Sequence, residues 1–447
     1  MASAAEQLAA NLNFGAFAKA TELKKRIWFT LGALIVYRLG TYIPLPGIDP
    51  SAIADIFNRQ AGGILGMFNM FAGGALERMT IFALNIMPYI SASIIIQLMT
   101  AVVPTLEALK KEGEAGRKKI NQYTRYLTVL ITAGQAYGLA VGLEGMQSTL
   151  GPAVAAPGLF FRVSVVVTLV GGTLFLMWLG EQITARGIGN GISLIIFSGI
   201  VAHLPGSMAS TLELGRTGAL STGLIVAFLV LAVAVVFFVV FVERAQRRII
   251  IQYPKRQVGM RMTSGESTHL PLKINTAGVI PPIFASSLLL MPITIIGFAA
   301  GSGPSWLTTV SAYLGRGQPA YLAIYIALIV FFAFFYTAVV FNPVETADNL
   351  KKHGGFIPGI RPGRNTAEYF DKILTRLTVV GAAYLSLVCV LPEILISRFS
   401  VPFYFGGTSL LIVISVTIDT VAQIQSHLLA HQYEGLIKKA KLRGRRG

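Results

Sequence analysis

Ten stretches of this chain are long and apolar enough to cross a lipid bilayer, and no soluble fold can bury so many. A helix needs roughly 20 residues to pass about 30 Å of hydrocarbon. A sliding window places the stretches near 27-43, 79-103, 123-143, 159-180, 191-210, 220-242, 275-298, 321-341, 373-395 and 407-428. Across 447 residues, 54% are hydrophobic and 13% charged, too few charges to solvate a globular surface of that size. Backbone groups in hydrocarbon must be satisfied within their own segment, so the spans are read as helices and the chain as an all-α polytopic membrane protein. The start, "MASAAEQLAANLNFGAFAKATELKKR", has no apolar core ahead of its basic cluster, so the first span is expected to direct insertion.

One apolar stretch stops short. "GGILGMFNMFAGGALERM", residues 62 to 79, runs apolar to Gly73 and Gly74 and then meets Glu77 and Arg78. As a helix it would be about 20 Å long and could not span. The run from Met79 to Val103 is expected to be a complete crossing helix.

Charge fixes the sidedness. Of 37 Lys and Arg residues, 30 lie before the first span, at 104-126, 181-190, 243-274 and 344-376, or in the tail "KKAKLRGRR". The other seven, Arg38, Arg59, Arg78, Arg162, Arg216, Arg316 and Arg398, lie toward the opposite side. Basic loops stay cytoplasmic, so both termini are expected there. A formal net charge of +17 would suggest nucleic-acid binding in a soluble protein, but insertion and anionic lipid account for most of it here. They do not account for the size of the 243-274 and 344-376 loops, whose Pro and Gly punctuation, as in "GGFIPGIRPGR", suggests ordered docking surfaces.

Site chemistry is sparse. Asp419, in the last predicted span, is the acidic residue singled out, expected against a neighbouring helix. His203, His269, His353, His427 and His431 have no metal-ligand spacing, and Cys389 is the only cysteine, so neither a metal site nor a disulfide is expected. No nucleophile elbow and no phosphate-cradling Gly-Lys-Ser/Thr loop occurs, which argues against catalysis and against any cofactor. What the spans offer is aliphatic packing: Ile86 and Ile90 share one helix face, as do Ile192 and Ile196. Isoleucine is common in every span, and spacing alone does not separate a functional pair from a packed one.

The motifs "MFNMFAGGAL", "IMPYISASIIIQ", "GEQITARGIGNGIS", "STHLPLKIN", "VFNPVETADNLKK", "GIRPG" and "VPFYFGGTSLLI" occur in an order that resembles the SecY family, the channel subunits of bacterial protein translocases. The resemblance implies ten spans in two inverted halves, with a plug in place of the half-length helix. It divides the chain into an N-terminal segment 1-26, a half at 27-210 with plug 62-74, a half at 211-428, and a basic tail 429-447. The glycines Gly73 and Gly74 are then the plug hinge. A pore ring maps onto Ile86, Ile90, Ile192, Ile196, Ile283 and Ile412, and a lateral gate onto Ser91, Gln97 and Asn275.

Partners implied by the resemblance are SecE and SecG subunits, the SecA motor ATPase, a translating ribosome, signal sequences with unfolded polypeptide, and membrane lipid. Arg247, Arg248, Lys255, Arg256, Arg261 and Arg361 are the partner-binding candidates; Met260 stands at the first loop tip where the family is more basic. The implied function is a protein-conducting channel of the bacterial inner membrane. The alternative is a secondary transporter with inverted repeats and a broken helix, which needs polar groups at the midplane.

Overall fold

The computed structural model describes residues 20–60, 69, 72–145, 147–148, 151–217, 221–253, 256–258, 261–263, 267–299, 318–399 and 407–443. The first helices are α1 (Thr21–Gly40), α2 (Pro50–Gln60), α3 (Met87–Val102), α4 (Pro104–Lys111) and α5 (Glu114–Glu144). A small hairpin of β1 (Gln147–Ser148) and β2 (Gly151–Pro152) precedes α6 (Leu159–Arg186), α7 (Gly191–Arg216) and α8 (Thr222–Arg244). Then come β3 (Gln246–Gln252), β4 (Arg256–Val258), β5 (Arg261–Thr263) and β6 (Ser267–Lys273). The last helices are α9 (Ile280–Ala299), α10 (Pro319–Val340), α11 (Pro343–Lys352), α12 (Arg364–Phe399) and α13 (Gly407–Arg443).

Every predicted span contains a helix, α1, α3, α5 to α10, α12 and α13, although the one in 79-103 begins only at Met87. Among the described residues, seven helices are long and apolar enough to cross a membrane, or eight if α3 and α4, bent by 97°, form one broken span. The expected ten is consistent with this. On α8, Val226, Leu229, Val230, Val233, Phe237 and Phe241 are each more than half exposed, an outward face that only hydrocarbon can solvate.

One expectation needs correction. Residues 79–103 are not one helix: α3 begins at Met87, and residues 72–86 are a succession of turns with a bridge at Thr80. Four residues there take left-handed backbone, Gly73 (φ 67°), Gly74 (φ 82°), Met79 (φ 43°) and Asn85 (φ 48°), which no helix can continue through. The 243-274 segment, expected as an ordered docking surface, carries a two-stranded ribbon: "QRRIIIQ" pairs antiparallel with "STHLPLK", Gln246 opposite Lys273 through Gln252 opposite Ser267.

The 344-376 segment is also mostly helical. Asn342 caps α11, its Oδ1 accepting from the N–H groups of Val344 (3.1 Å) and Glu345 (3.3 Å), with Pro343 at the first helical position. Helix α12 starts at Arg364, so much of the expected loop is its first turns.

The chain packs as two compact units, one from Met1–Ala92, Asn121–Gly206 and Ile412–Gly447, the other from Ser93–Ile120 and Ser207–Leu411. In the first, Thr30 Oγ1 accepts from Ile188 N–H (3.0 Å) and Gln423 Oε1 from Gly189 N–H (2.8 Å). These bonds tie α1 and α13 to the turn between α6 and α7 over an apolar cluster of Ala20, Leu23, Ile188 and Leu428. In the second, Phe284 of α9 packs edge-on to Phe332 of α10, ring centroids 5.7 Å apart.

Candidate functional site

The site begins with backbone that should not be there. Irregular chain at membrane depth survives only where protein or a water-filled cavity satisfies it. Residues 72–86 meet that condition within the first unit. Arg38 of α1 donates from Nη1 to the Gly73 carbonyl (2.9 Å), and the Tyr37 hydroxyl reaches the Ala72 carbonyl at 3.5 Å. Asn69 donates to Glu77 Oε2 (3.0 Å) and accepts from the Glu77 N–H (2.9 Å). Leu45 N–H donates to Met79 O (2.9 Å) and Ile81 N–H to Ile43 O (3.0 Å), so the segment pairs with the end of the first span.

Close approach does the rest. A Cβ on Gly172 of α6 would collide with the Ile81 carbonyl oxygen, and one on Gly73 would stand 2.9 Å from Gly199 Cα of α7. Both glycines are therefore required by packing, and Gly73 also by its positive φ. The plug itself, 62-74, lies mostly outside the described residues; Asn69 and 72–74 are its described part. Gly73 and Gly74, expected as a hinge, sit in this packed, hydrogen-bonded setting, Gly74 close to His203.

Of the six isoleucines assigned to a pore ring, Ile86, Ile90, Ile192, Ile196 and Ile412 belong to the first unit and Ile283 to the second. Ile86, Ile90, Ile196 and Ile412 are buried, and Ile90 N–H donates to the Ile86 carbonyl (3.1 Å), continuing α3 from the irregular segment. Ile192 is half-buried against Gly180 of α6, and Ile283 is half-buried on α9.

The gate candidates make local bonds. Ser91 Oγ donates to the Met87 carbonyl (3.2 Å), and Gln97 Nε2 donates to Ser93 Oγ (3.2 Å), each within α3. Asn275 is buried with its amide on Glu243 of α8 and on Gly278, and that bond lies between the sixth and seventh spans.

Three of the basic candidates, Arg247, Arg248 and Arg361, lie on one small body in the second unit. Strand β3 of the ribbon pairs with the turn after α11, since Gln252 and Phe356 exchange N–H to carbonyl bonds of 2.9 Å. An apolar cluster of Ile249, Leu272, Ala347, Ile357, Ala367, Phe370 and Ile373 lies under the ribbon, α11 and the start of α12. Arg247 and Arg248 are exposed on β3. Arg361 is exposed in a turn bounded by Gly359 (φ 82°) and Gly363 (φ 105°), its carbonyl accepting from Thr366 Oγ1 (3.0 Å). Arg256 and Arg261 open the short strands β4 and β5; Lys255 and Met260 lie outside the described residues.

A sequence model of the SecY family matches residues 80–421. The chain belongs to the SecY family. Among its relatives, protein translocase subunit SecY of Escherichia coli (strain K12) is 58% identical over 95% of this chain and 96% of the relative. The same subunit of Rickettsia conorii is 55% identical over 94% of this chain and 97% of the relative. The structure of a protein conducting channel aligns with a TM-score of 0.67 at 17% identity, covering 92% of this chain and 93% of that one. Sec61 in the canine ribosome-channel complex from the endoplasmic reticulum aligns with a TM-score of 0.64, also at 17% identity, covering 92% and 93%. At such identity the likeness is one of fold.

Within this SecY-family fold, sequence reasoning missed the buried acids. Asp419 is exposed on α13, whereas Glu243 and Glu393 are buried. Glu243 closes α8 and reads in sequence as the first charge of a basic loop; its partners lie 32 and 141 residues away, beyond any local pattern. Arg38 and Asn69, which grip the irregular segment, carried no signal beyond being polar near apolar runs. Among the described residues no His, Cys, Asp and Glu group could hold a metal ion.

Proposed function

We propose that this chain is the channel subunit of a bacterial protein translocase. It passes unfolded polypeptide across the inner membrane and releases apolar segments sideways into lipid. Family membership supports the reading, and the observation that carries it is the clamped, non-spanning segment 72–86 ending at buried Ile86. A solute transporter presents polar groups for its cargo at the midplane. This segment turns its polar groups into its own anchoring and leads into aliphatic side chains.

In this channel the six isoleucines form an apolar constriction that ions enter poorly and an extended chain can thread. The plug at 62-74 closes it from the side opposite the basic loops, and Ser91, Gln97 and Asn275 belong to the lateral opening. The chain works as two inverted halves, 27-210 and 211-428, with both termini cytoplasmic. It performs no catalysis. Its energy comes from SecA or a translating ribosome, docking on the body that carries Arg247, Arg248, Lys255, Arg256, Arg261 and Arg361, with SecE and SecG as companion subunits.

The test is reconstitution with SecE, SecG, SecA and ATP, scored by protease protection of a secretory precursor. ATP-dependent protection is expected. Solute uptake driven by an ion gradient, with no protected precursor, would return the chain to the transporter class.

A further inference from the structure

At the foot of the basic ribbon a buried carboxylate holds the turn that leads into the helix bearing Ile283. Ile274 N–H donates to the Ala245 carbonyl (3.1 Å), closing the ribbon just beyond the pair of Gln246 and Lys273. The next residue, Asn275, is 3% exposed and donates from one amide nitrogen to Glu243 Oε1 (2.7 Å) and to the Gly278 carbonyl (3.0 Å). The Tyr384 hydroxyl of α12 approaches the same Oε1 at 3.5 Å. From behind, α12 is packed so tightly that a Cβ on Gly381 would stand 3.2 Å from the Ile274 carbonyl. The turn is thus gripped by α8 on one side and α12 on the other.

An acid buried at a span end is costly unless its charge is met by hydrogen bonds, and a hydrophobic side chain would pack there at less cost. Glu243 is 8% exposed. What it secures is a short path: ribbon, Ala245 with Ile274, Asn275, the turn through Gly278 (φ 64°), then the first turn of α9, where Ile283 sits. We infer that Glu243 is a positioning residue that transmits partner engagement on the ribbon to α9 through its bond to Asn275. The inference rests on the channel reading above.

The test uses the channel reconstituted with SecE, SecG, SecA and ATP. Asn275→Asp sets two carboxylates face to face and should lower precursor-stimulated ATPase and translocation per assembled channel about tenfold, the scale of a lost charged hydrogen bond. SecA affinity should stay within about twofold, because the ribbon surface is untouched. The double variant Glu243→Gln with Asn275→Asp exchanges donor and acceptor and rebuilds a charge-assisted bond, so it should recover most of the loss. Should Asn275→Asp not assemble, Glu243→Gln, which keeps an acceptor, is expected to outperform Glu243→Ala several-fold. Wild-type coupling in Asn275→Asp, no recovery in the double variant, or equal loss in the Gln and Ala variants overturns the inference. Absent translocation by the wild-type channel overturns the channel reading instead.

Discussion

The ribbon body and the segment 72–86 both interrupt the series of spanning helices, and they are secured by opposite means. The body has its own apolar core, centred on fully buried Phe370, and turns its cations outward. The segment has backbone carbonyls at 72, 73 and 79 held by donors from α1 and the chain after it, with glycines at the contacts. A body that meets changing partners in water can fold around oil and leave its polar groups free. A segment that interrupts the spans must have its backbone satisfied by neighbouring protein or by water in a cavity, and this one takes hydrogen bonds from protein. Partner coupling and sealing should therefore fail separately.

The largest expected effect is on the body. Phe370→Ala removes the side chain at the centre of its core, a change that costs about 3–5 kcal/mol at buried phenylalanines. Motor-stimulated ATPase should fall by about two orders of magnitude, and the ribbon should become protease-sensitive. Resting ion conductance, measured in planar bilayers on the same variant, should stay at the wild-type level. Increased conductance would show that the two regions are not independent.

A smaller loss should come from Arg361, which is exposed and supports no fold. Arg361→Glu is expected to abolish most precursor-stimulated ATPase, by about fiftyfold, on the scale of reversing one paired charge. Arg361→Lys should fall in between, since an ammonium cannot reproduce the bidentate fork of a guanidinium held in a rigid turn. Equal activity of Lys and Arg at 361 would reduce the contact to charge alone.

How much of this was legible follows the range of the interaction. Spans and sidedness depend on composition over about 20 residues, so α5, α6, α8 and α10 were readable directly. The turn at "PGIRPG" was readable because proline and glycine act on their own backbone. The strands were not, because "QRRIIIQ" has no apolar and polar alternation to read, and the alternating burial of Ile249, Ile250 and Ile251 depends on what packs under the ribbon. The break before Met87 was not, because it depends on a missing side chain at Gly172, some ninety residues on, and on Arg38 before it. Isoleucines at helical spacing could be found, but the pore-ring role proposed for them came only with the family motifs.

Glycines sharpen the comparison further. Gly73 and Gly359 share positive φ, 67° and 82°, but only Gly73 is packed, with Gly199 and Arg38 where a Cβ would go; at Gly359 nothing lies within 4 Å. Gly73→Val should add left-handed strain of about 1–2 kcal/mol to a backbone clash and raise resting conductance several-fold, with ATPase coupling kept. Gly359→Asn, a residue that tolerates this backbone, should change neither readout measurably. Conductance in Gly73→Val equal to wild type would mean that the clamp on 72–74 does not hold the closed state.

The smallest effect concerns the approach to the segment, where Asp49 precedes α2. Its Oδ1 accepts from the Ser51 hydroxyl (2.6 Å) and the Ser51 N–H (2.9 Å), and the hydroxyl bond, followed by the backbone bond, holds the carboxyl below its ordinary range. A carboxyl with a depressed folded-state pKa stabilises the fold above the unfolded pKa of about 4, and that contribution is lost as pH falls through the lower folded value. Thermal unfolding of wild type and Asp49→Asn should therefore differ slightly at pH 6 and converge as the pH drops below about 4. Asn still offers a side-chain oxygen to Ser51, so the difference isolates the charge from the cap. Ser51→Ala should bring the two curves closer at pH 6, because it removes the larger of the two bonds that favour the ionised form and leaves the backbone bond. The ribbon body is held by apolar contacts, and substitutions in its core should shift stability equally at both pH values. A pH-dependent loss in Phe370→Ala matching that of Asp49→Asn would erase the distinction between a body held by its core and a segment held by hydrogen bonds.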